Sequence, residues 1–134
     1  MNTMTAAPKP STSKIPLRQV SKLKVADKTI ERLSDIFKLL ADKSRLKILL
    51  ALAQDGELHV SALCNLLEQS QPAVSHHLTL LRMRNLVGFR RAGKHNYYRI
   101  DSTFVSQLLE QFFNDSGNGQ ALQFHEFSLA FKRR

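Results

Sequence analysis

The sequence predicts a mainly α-helical domain of about five helices carrying one small β-hairpin. Three observations lead there. Apolar residues recur at helical spacing through most of the stretch from residue 27 to residue 114. The period drops to two in one place, on either side of Ala92-Gly93. Between these, Ser70-Gln71-Pro72 sets a cap and a first-turn proline directly after a tight turn, which is how a helix begins. At 134 residues and 43% apolar content, the chain is long enough for one domain with a single small core.

Residues 1–26 are rich in Pro, Ser, Thr and Lys and hold no acid. They read as a disordered basic arm, either phosphate-contacting through Lys9, Lys14, Arg18, Lys22 and Lys24 or simply solubilising. A first helix follows, with Ile30, Leu33, Phe37 and Leu40 on one stripe, widened by Ile36 and Leu39. Asp42 can cap a second helix in which Leu46, Leu49, Leu50 and Ala53 recur at helical spacing, and Asp55-Gly56 ends it. Val60, Leu63, Cys64 and Leu67 give a short third helix that His59 starts, and Glu68-Gln69 forms the turn.

The fourth helix, residues 71–84, buries Val74, Leu78 and Leu81 and leaves Gln71, Ser75, Thr79 and Arg82 outward. Packing explains the first set and not the second. The outward groups are amide, hydroxyl and guanidinium, with the imidazoles of His76 and His77 beside them; these hydrogen-bond base edges and phosphates. A short helix, a turn and a second helix with such a face form the helix-turn-helix pattern. Residues 87–91 and 95–100 then read as two strands with Arg90, Arg91 and Lys94 at the tip, a wing able to reach backbone or minor groove.

Ser102 can cap a last helix carrying Val105, Leu108, Leu109 and Phe112, which either closes the core or pairs with the first helix across a dimer interface. Residues 115–134 read as a linker containing Gly117 and Gly119 and a tail. The tail's Phe124, Phe127 and Phe131 suit a helix face, while Phe127, Leu129 and Phe131 also alternate as in a strand. Either way, three phenylalanines predict docking on the domain or its partner.

The net charge is +9 and the sequence pI about 10.1, which predicts an anionic partner, and nucleic acid is the commonest. Its distribution is sharper than its total. From Lys28 to Glu68 bases and acids balance; between Glu68 and Asp101 there is no acid, while Arg82, Arg84, Arg90, Arg91, Lys94 and Arg99 all fall there. The single cysteine, Cys64, excludes an internal disulfide, and no apolar run reaches the ~18 residues that span a bilayer. A soluble cytoplasmic protein without a membrane partner is expected. With no Ser/His/Asp, paired-carboxylate or phosphate-loop arrangement, enzyme activity is not expected.

LADKSRLKILLAL (residues 40–52), SQPAVSHHLTLLR (70–82) and FRRAGKHNYYRI (89–100) stand in the order and spacing of a known family. Together they resemble the ArsR/SmtB family of bacterial winged-helix repressors, over roughly residues 30–113 and neither tail. The resemblance implies a winged helix-turn-helix whose first and last helices form a two-fold dimer, through Leu33, Phe37, Val105, Leu108, Leu109 and Phe112. It also implies an inverted-repeat operator in double-stranded DNA. The helix of residues 71–84 would enter the major groove with Gln71, Ser75, His76 and His77 near the bases, Thr79 and Arg82 following, and Arg90, Arg91 and Lys94 at the wing tip.

The chain departs from the family's metal sites. Where one site has two cysteines in the third helix, this chain has His59 and Ser61, and serine is a poor ligand for soft metals. The other site needs Asp and His at the start of the last helix and His near its end; here stand Asp101 and Thr103, then Phe112-Phe113-Asn114. No cofactor and no metal ligand set is therefore expected, and the inducer stays unknown, a metal ion being the less favoured option. His77 falls nearer the buried side than His76, so a structural hydrogen bond competes with a DNA contact. Tyr97 and Tyr98 read as hairpin packing. Cys64 reads as a buried inert thiol, with a redox or electrophile-sensing repressor as the alternative. A second alternative is a winged-helix protein-interaction module without an operator.

Overall fold

The computed structural model describes residue 19 and residues 21–116 and 121–134. Its elements run α1 (Asp27–Leu40), α2 (Lys43–Asp55), β1 (Glu57–His59), α3 (Val60–Leu67), α4 (Gln71–Met83), β2 (Val87–Ala92), β3 (His95–Ile100) and α5 (Thr103–Ser116). A terminal ribbon follows, β4 (Ala121–Gln123) and β5 (Ser128–Ala130). The architecture is the expected winged helix-turn-helix. Its wing has one strand more than the sequence suggests: β1 pairs antiparallel with β3, which pairs with β2, in the order β1-β3-β2. Three residues, Glu-Leu-His, are too short a run to show alternation.

The core is built from one to three residues per element. Leu33 and Ile36 of α1, Ile48 and Leu52 of α2, Leu63 of α3, and Val74, Leu78 and Leu81 of α4 meet Leu86, Val87, Tyr98 and Leu108. Each fully buried aliphatic side chain contributes about 1.5–3 kcal/mol. The α4 stripe is the one expected. The α2 stripe is not: Leu46, Leu50 and Ala53 are exposed, and Ile48 and Leu52 face inward. That helix is apolar on every side, so its spacing does not select a face, and packing against α4 and β3 does.

Capping follows the sequence closely. Asp42 Oδ1 accepts from the Arg45 backbone N–H at 3.1 Å, and Ser70 Oγ from that of Ala73 at 3.4 Å. Gly56 ends α2 at φ 87°. Helices α3 and α4 end on non-glycine residues in the left-handed region, Glu68 (φ 53°) and Asn85 (φ 58°). After Asn85, the Leu86 N–H reaches back to the Leu81 carbonyl at 3.0 Å and the Asn85 N–H to that of Arg82 at 2.9 Å, a Schellman closure. This stops α4 at Met83 and aims the chain into β2. At the start of α5, Asp101 rather than Ser102 supplies the side-chain cap, its Oδ1 accepting from the Thr103 N–H at 3.3 Å.

Packing begins before the expected domain boundary and runs past its end. Val25 is buried, and α5 continues through Ser116 instead of stopping at residue 114. The basic arm up to residue 18 and the linker glycines Gly117 and Gly119 lie outside the described residues. The tail takes the strand alternative, with Ala121↔Ala130, Leu122↔Leu129 and Gln123↔Ser128 in register. It docks on α5: Phe131 stacks on Phe113 with centroids 6.3 Å apart, and Arg133 pairs with Glu110 at 2.9 Å. Among the described residues no helix is long and apolar enough to cross a membrane.

Candidate nucleic-acid interface

Two elements of different origin form the candidate interface. Helix α4 enters after the Glu68-Gln69 turn, which Gln69 ties to α2 by donating its amide to Ser44 Oγ at 2.8 Å. Its first turn presents Gln71; Gln71, His76, Thr79 and Arg82 are exposed and Ser75 is half-buried. The wing is held by the β2–β3 register Ala92↔His95, which leaves Gly93-Lys94 as a two-residue turn. Gly93 at φ 64° supplies the left-handed residue that such turns require.

Gln71 and Ser75 from α4 and Lys94, His95 and Asn96 from the wing line one cleft of about 320 Å³, completed by His59, Val60, Ser61 and Tyr98. No acid is in that lining. The helix and the wing tip thus meet across a shared polar concavity. Arg82 stands at the other end of α4, its guanidinium 4.3 Å from the Phe89 ring centroid, fixed by a cation–π contact and still exposed. Thr79 donates its hydroxyl to the Ser75 carbonyl at 2.9 Å and keeps only its lone pairs for an outside donor.

Two of the expected contacts are engaged inside the chain. His77 Nδ1 accepts from Arg45 Nε at 3.3 Å, so the ring faces α2, in line with its structural reading. Arg45 also donates to the Leu39 carbonyl at 2.7 Å and lies 3.6 Å from Asp42, so one guanidinium joins α1, α2 and α4. Asp42 is held below its usual carboxylate value chiefly by the Arg45 backbone N–H. Arg90 points back from the wing to Glu57, with Nε 2.9 Å from both carboxylate oxygens and Nη2 2.7 Å from Oε1. That hydrogen bond holds the Glu57 carboxyl below its usual value and raises the Arg90 guanidinium. Arg91, whose Nε donates to the Gly93 carbonyl at 3.3 Å, and Lys94 are the other two exposed wing-tip cations.

The expected dimer residues also divide. Leu33 and Leu108 are 5% and 4% exposed in the single chain, so they belong to its core and are corrected to that role. Phe37 is 61% exposed, and Val105, Leu109 and Phe112 are half-buried. Phe37, Val105 and Leu109 line a groove of about 340 Å³ between α1 and α5, with Leu40, Ile100 and Phe131. Cys64 is half-buried against the core. Among the described residues no group of three or more His, Cys, Asp or Glu side chains could hold a metal ion.

Sequence reasoning placed His59 at a helix start and gave His95, on the wing, no partner. Their rings meet edge-to-face at a centroid distance of 4.4 Å, in the wall of the polar cleft. Alternation along β3 was legible and places His95, Tyr97 and Arg99 on one face. Bringing His59 beside them takes the pairing of β1, for which the sequence carried no signal.

Comparison with known proteins agrees with this geometry. The family described as "Bacterial regulatory protein, arsR family" matches residues 42–88, from the cap of α2 into β2. The arsenical resistance operon repressor of Escherichia coli is 51% identical over 48% of this chain, which spans 56% of that relative's length. A transcriptional repressor SmtB homolog of Synechocystis is 36% identical over 71% of this chain and 71% of its own length. Among solved structures, the homodimeric winged helix-turn-helix DNA-binding domain Mb0332 of Mycobacterium bovis superposes with a TM-score of 0.53. It is 34% identical and covers 62% of this chain and 79% of its own. With its helix order, its wing and these likenesses together, the chain belongs to the ArsR family of bacterial regulatory proteins.

Proposed function

We propose that the chain is a homodimeric, sequence-specific DNA-binding transcriptional repressor that binds an inverted-repeat operator. The observation that carries this reading is the shared polar cleft. A helix face able to read bases and a wing turn able to hold phosphate converge on it, and no acid lines it. Gln71, Ser75 and His76 read base edges in the major groove, while Arg82, Arg91 and Lys94 hold phosphates and supply most of the affinity. Arg90 joins them only by exchanging Glu57 for a phosphate. The segment 27–114, extended to the end of α5, carries both binding and dimerisation. The second copy packs against α1 and α5 around Phe37, Val105, Leu109 and Phe112, a reading supported by the homodimeric Mycobacterium bovis neighbour.

Selection of duplexes from a random pool, followed by gel-shift titration, tests this. Enrichment of an imperfect inverted repeat with half-sites about 34 Å apart is expected. Gln71→Ala should then reduce discrimination between the selected and a scrambled duplex. Equal affinity of the wild type for both duplexes would overturn sequence-specific reading and favour a protein-interaction role.

A further inference from the structure

The polar cleft holds two titratable rings that the repressor reading does not use. His59 is half-buried at the entry to α3, its Nδ1 accepting from the Ser61 N–H at 3.1 Å, and His95 is exposed on β3 directly after the wing turn. They lie far apart in sequence, and β1–β3 pairing sets their rings 4.4 Å apart. The same cleft is lined by Gln71 and Ser75 of α4 and by Lys94 of the wing turn. The cleft is therefore polar and open, and no acid lines it.

We propose that this cleft seats a DNA backbone phosphate and that His59 and His95 are proton-linked donors to it, so that DNA binding takes up protons. The inference rests on the DNA-binding reading above and names a further part of that site. An ordinary imidazole titrates near pH 6.5, and an anion within hydrogen-bonding reach favours its charged form. The charged neighbours of the pair are mostly cations, which repel an imidazolium, so the counter-charge has to come from the arriving phosphate. Lys94 comes from the turn; Tyr97 and Arg99 come from β3 on the same sheet face, and Arg90 from β2. Helices α3 and α4 contribute the uncharged Ser61, Gln71 and Ser75. The acid on that face, Glu57, is already bound to Arg90. An arriving phosphate thus meets cations and neutral donors, and it supplies the counter-charge that two adjacent imidazolium ions need.

The test is fluorescence anisotropy of the full chain with a labelled mixed-sequence duplex at pH 6 and pH 8, at matched ionic strength. Wild type should bind about tenfold more tightly at pH 6, the effect of roughly half a proton taken up on average over those two pH units. In the double variant His59→Gln/His95→Gln that gain should fall to the remainder contributed by other histidines. The single variant His95→Gln, at an exposed position, should lose part of the gain. A full pH response in both variants, with folding verified by thermal melts at both pH values, would overturn the proposal while leaving DNA binding intact. No binding of any duplex at either pH would instead overturn the DNA-binding reading.

Discussion

Two concavities of nearly equal volume, about 320 and 340 Å³, differ completely in chemistry. The first lies where elements begin and turn: the first residues of α3 and α4 and the two-residue turn of the wing. Backbone ends and turns favour Ser, Asn, His and Gly, so the walls are polar. The second lies between the flanks of α1 and α5 and is closed by Leu49, Leu86, Ile100 and Phe131; apart from Asp101, Ser102 and Ser106 its lining is apolar. A polar hollow at element termini suits an anionic ligand that varies along its length. An apolar groove along helix flanks suits another helix surface. On the proposed reading, binding and self-association of one small chain use separate hollows.

Breaking the apolar groove should give the largest effect. Phe37→Glu places a carboxylate on that surface without disturbing the core, since Phe37 is largely exposed in the single chain. Self-association measured by sedimentation equilibrium should weaken by about a hundredfold or more, because burying the charge across the interface costs ~3 kcal/mol. Unchanged association would place the dimer surface elsewhere.

The frame between the two hollows should respond next. Asp42→Ala removes the α2 cap and one partner of Arg45, and should cost about 1 kcal/mol in denaturant unfolding. Asp42 sits below its usual carboxylate value of 3.8 when folded. Its contribution is therefore present above that value and is lost as pH falls through the lower folded one. The variant's deficit should accordingly shrink in acid below pH 3.8; a constant deficit would mean that the carboxylate charge is not what caps the helix.

The smallest effect sharpens the polar side. Glu57→Gln releases Arg90 from its ion pair at the wing. If the freed guanidinium gains a phosphate, duplex affinity should rise several-fold and the log–log salt slope should steepen by about 0.9. An unchanged slope would show that Arg90 cannot reach the backbone.

These residues also show where the sequence is readable. Val74, Leu78 and Leu81 were legible as a buried stripe because Gln71, Ser75 and Thr79 alternate with them; a helix with one apolar face announces its orientation. Helix α2 did not, since Leu46, Ile48, Leu49, Leu50 and Leu52 surround it and only its neighbours choose among them. The wing turn was legible in Ala92-Gly93-Lys94. The engagement of Arg90 by Glu57 and of His77 by Arg45 was not, each pair lying more than thirty residues apart. Such pairings depend on how elements meet, and local periodicity carries no record of that. The tail's alternation of Phe127, Leu129 and Phe131 was one of two open readings, and pairing with β4 selected it.

That tail ribbon has a consequence for the behaviour of concentrated solutions. Strands β4 and β5 pair only with each other among the described residues, and Phe124, Phe127 and Leu129 are exposed beside them. Unpaired strand edges next to bare aromatic rings are a template for end-to-end stacking of molecules. Lys132, Arg133 and Arg134 follow immediately, and like charges brought together at such a junction repel. Low salt should keep the chains apart, and high salt, by screening those charges, should bring on slow clouding that starts from this end of the protein.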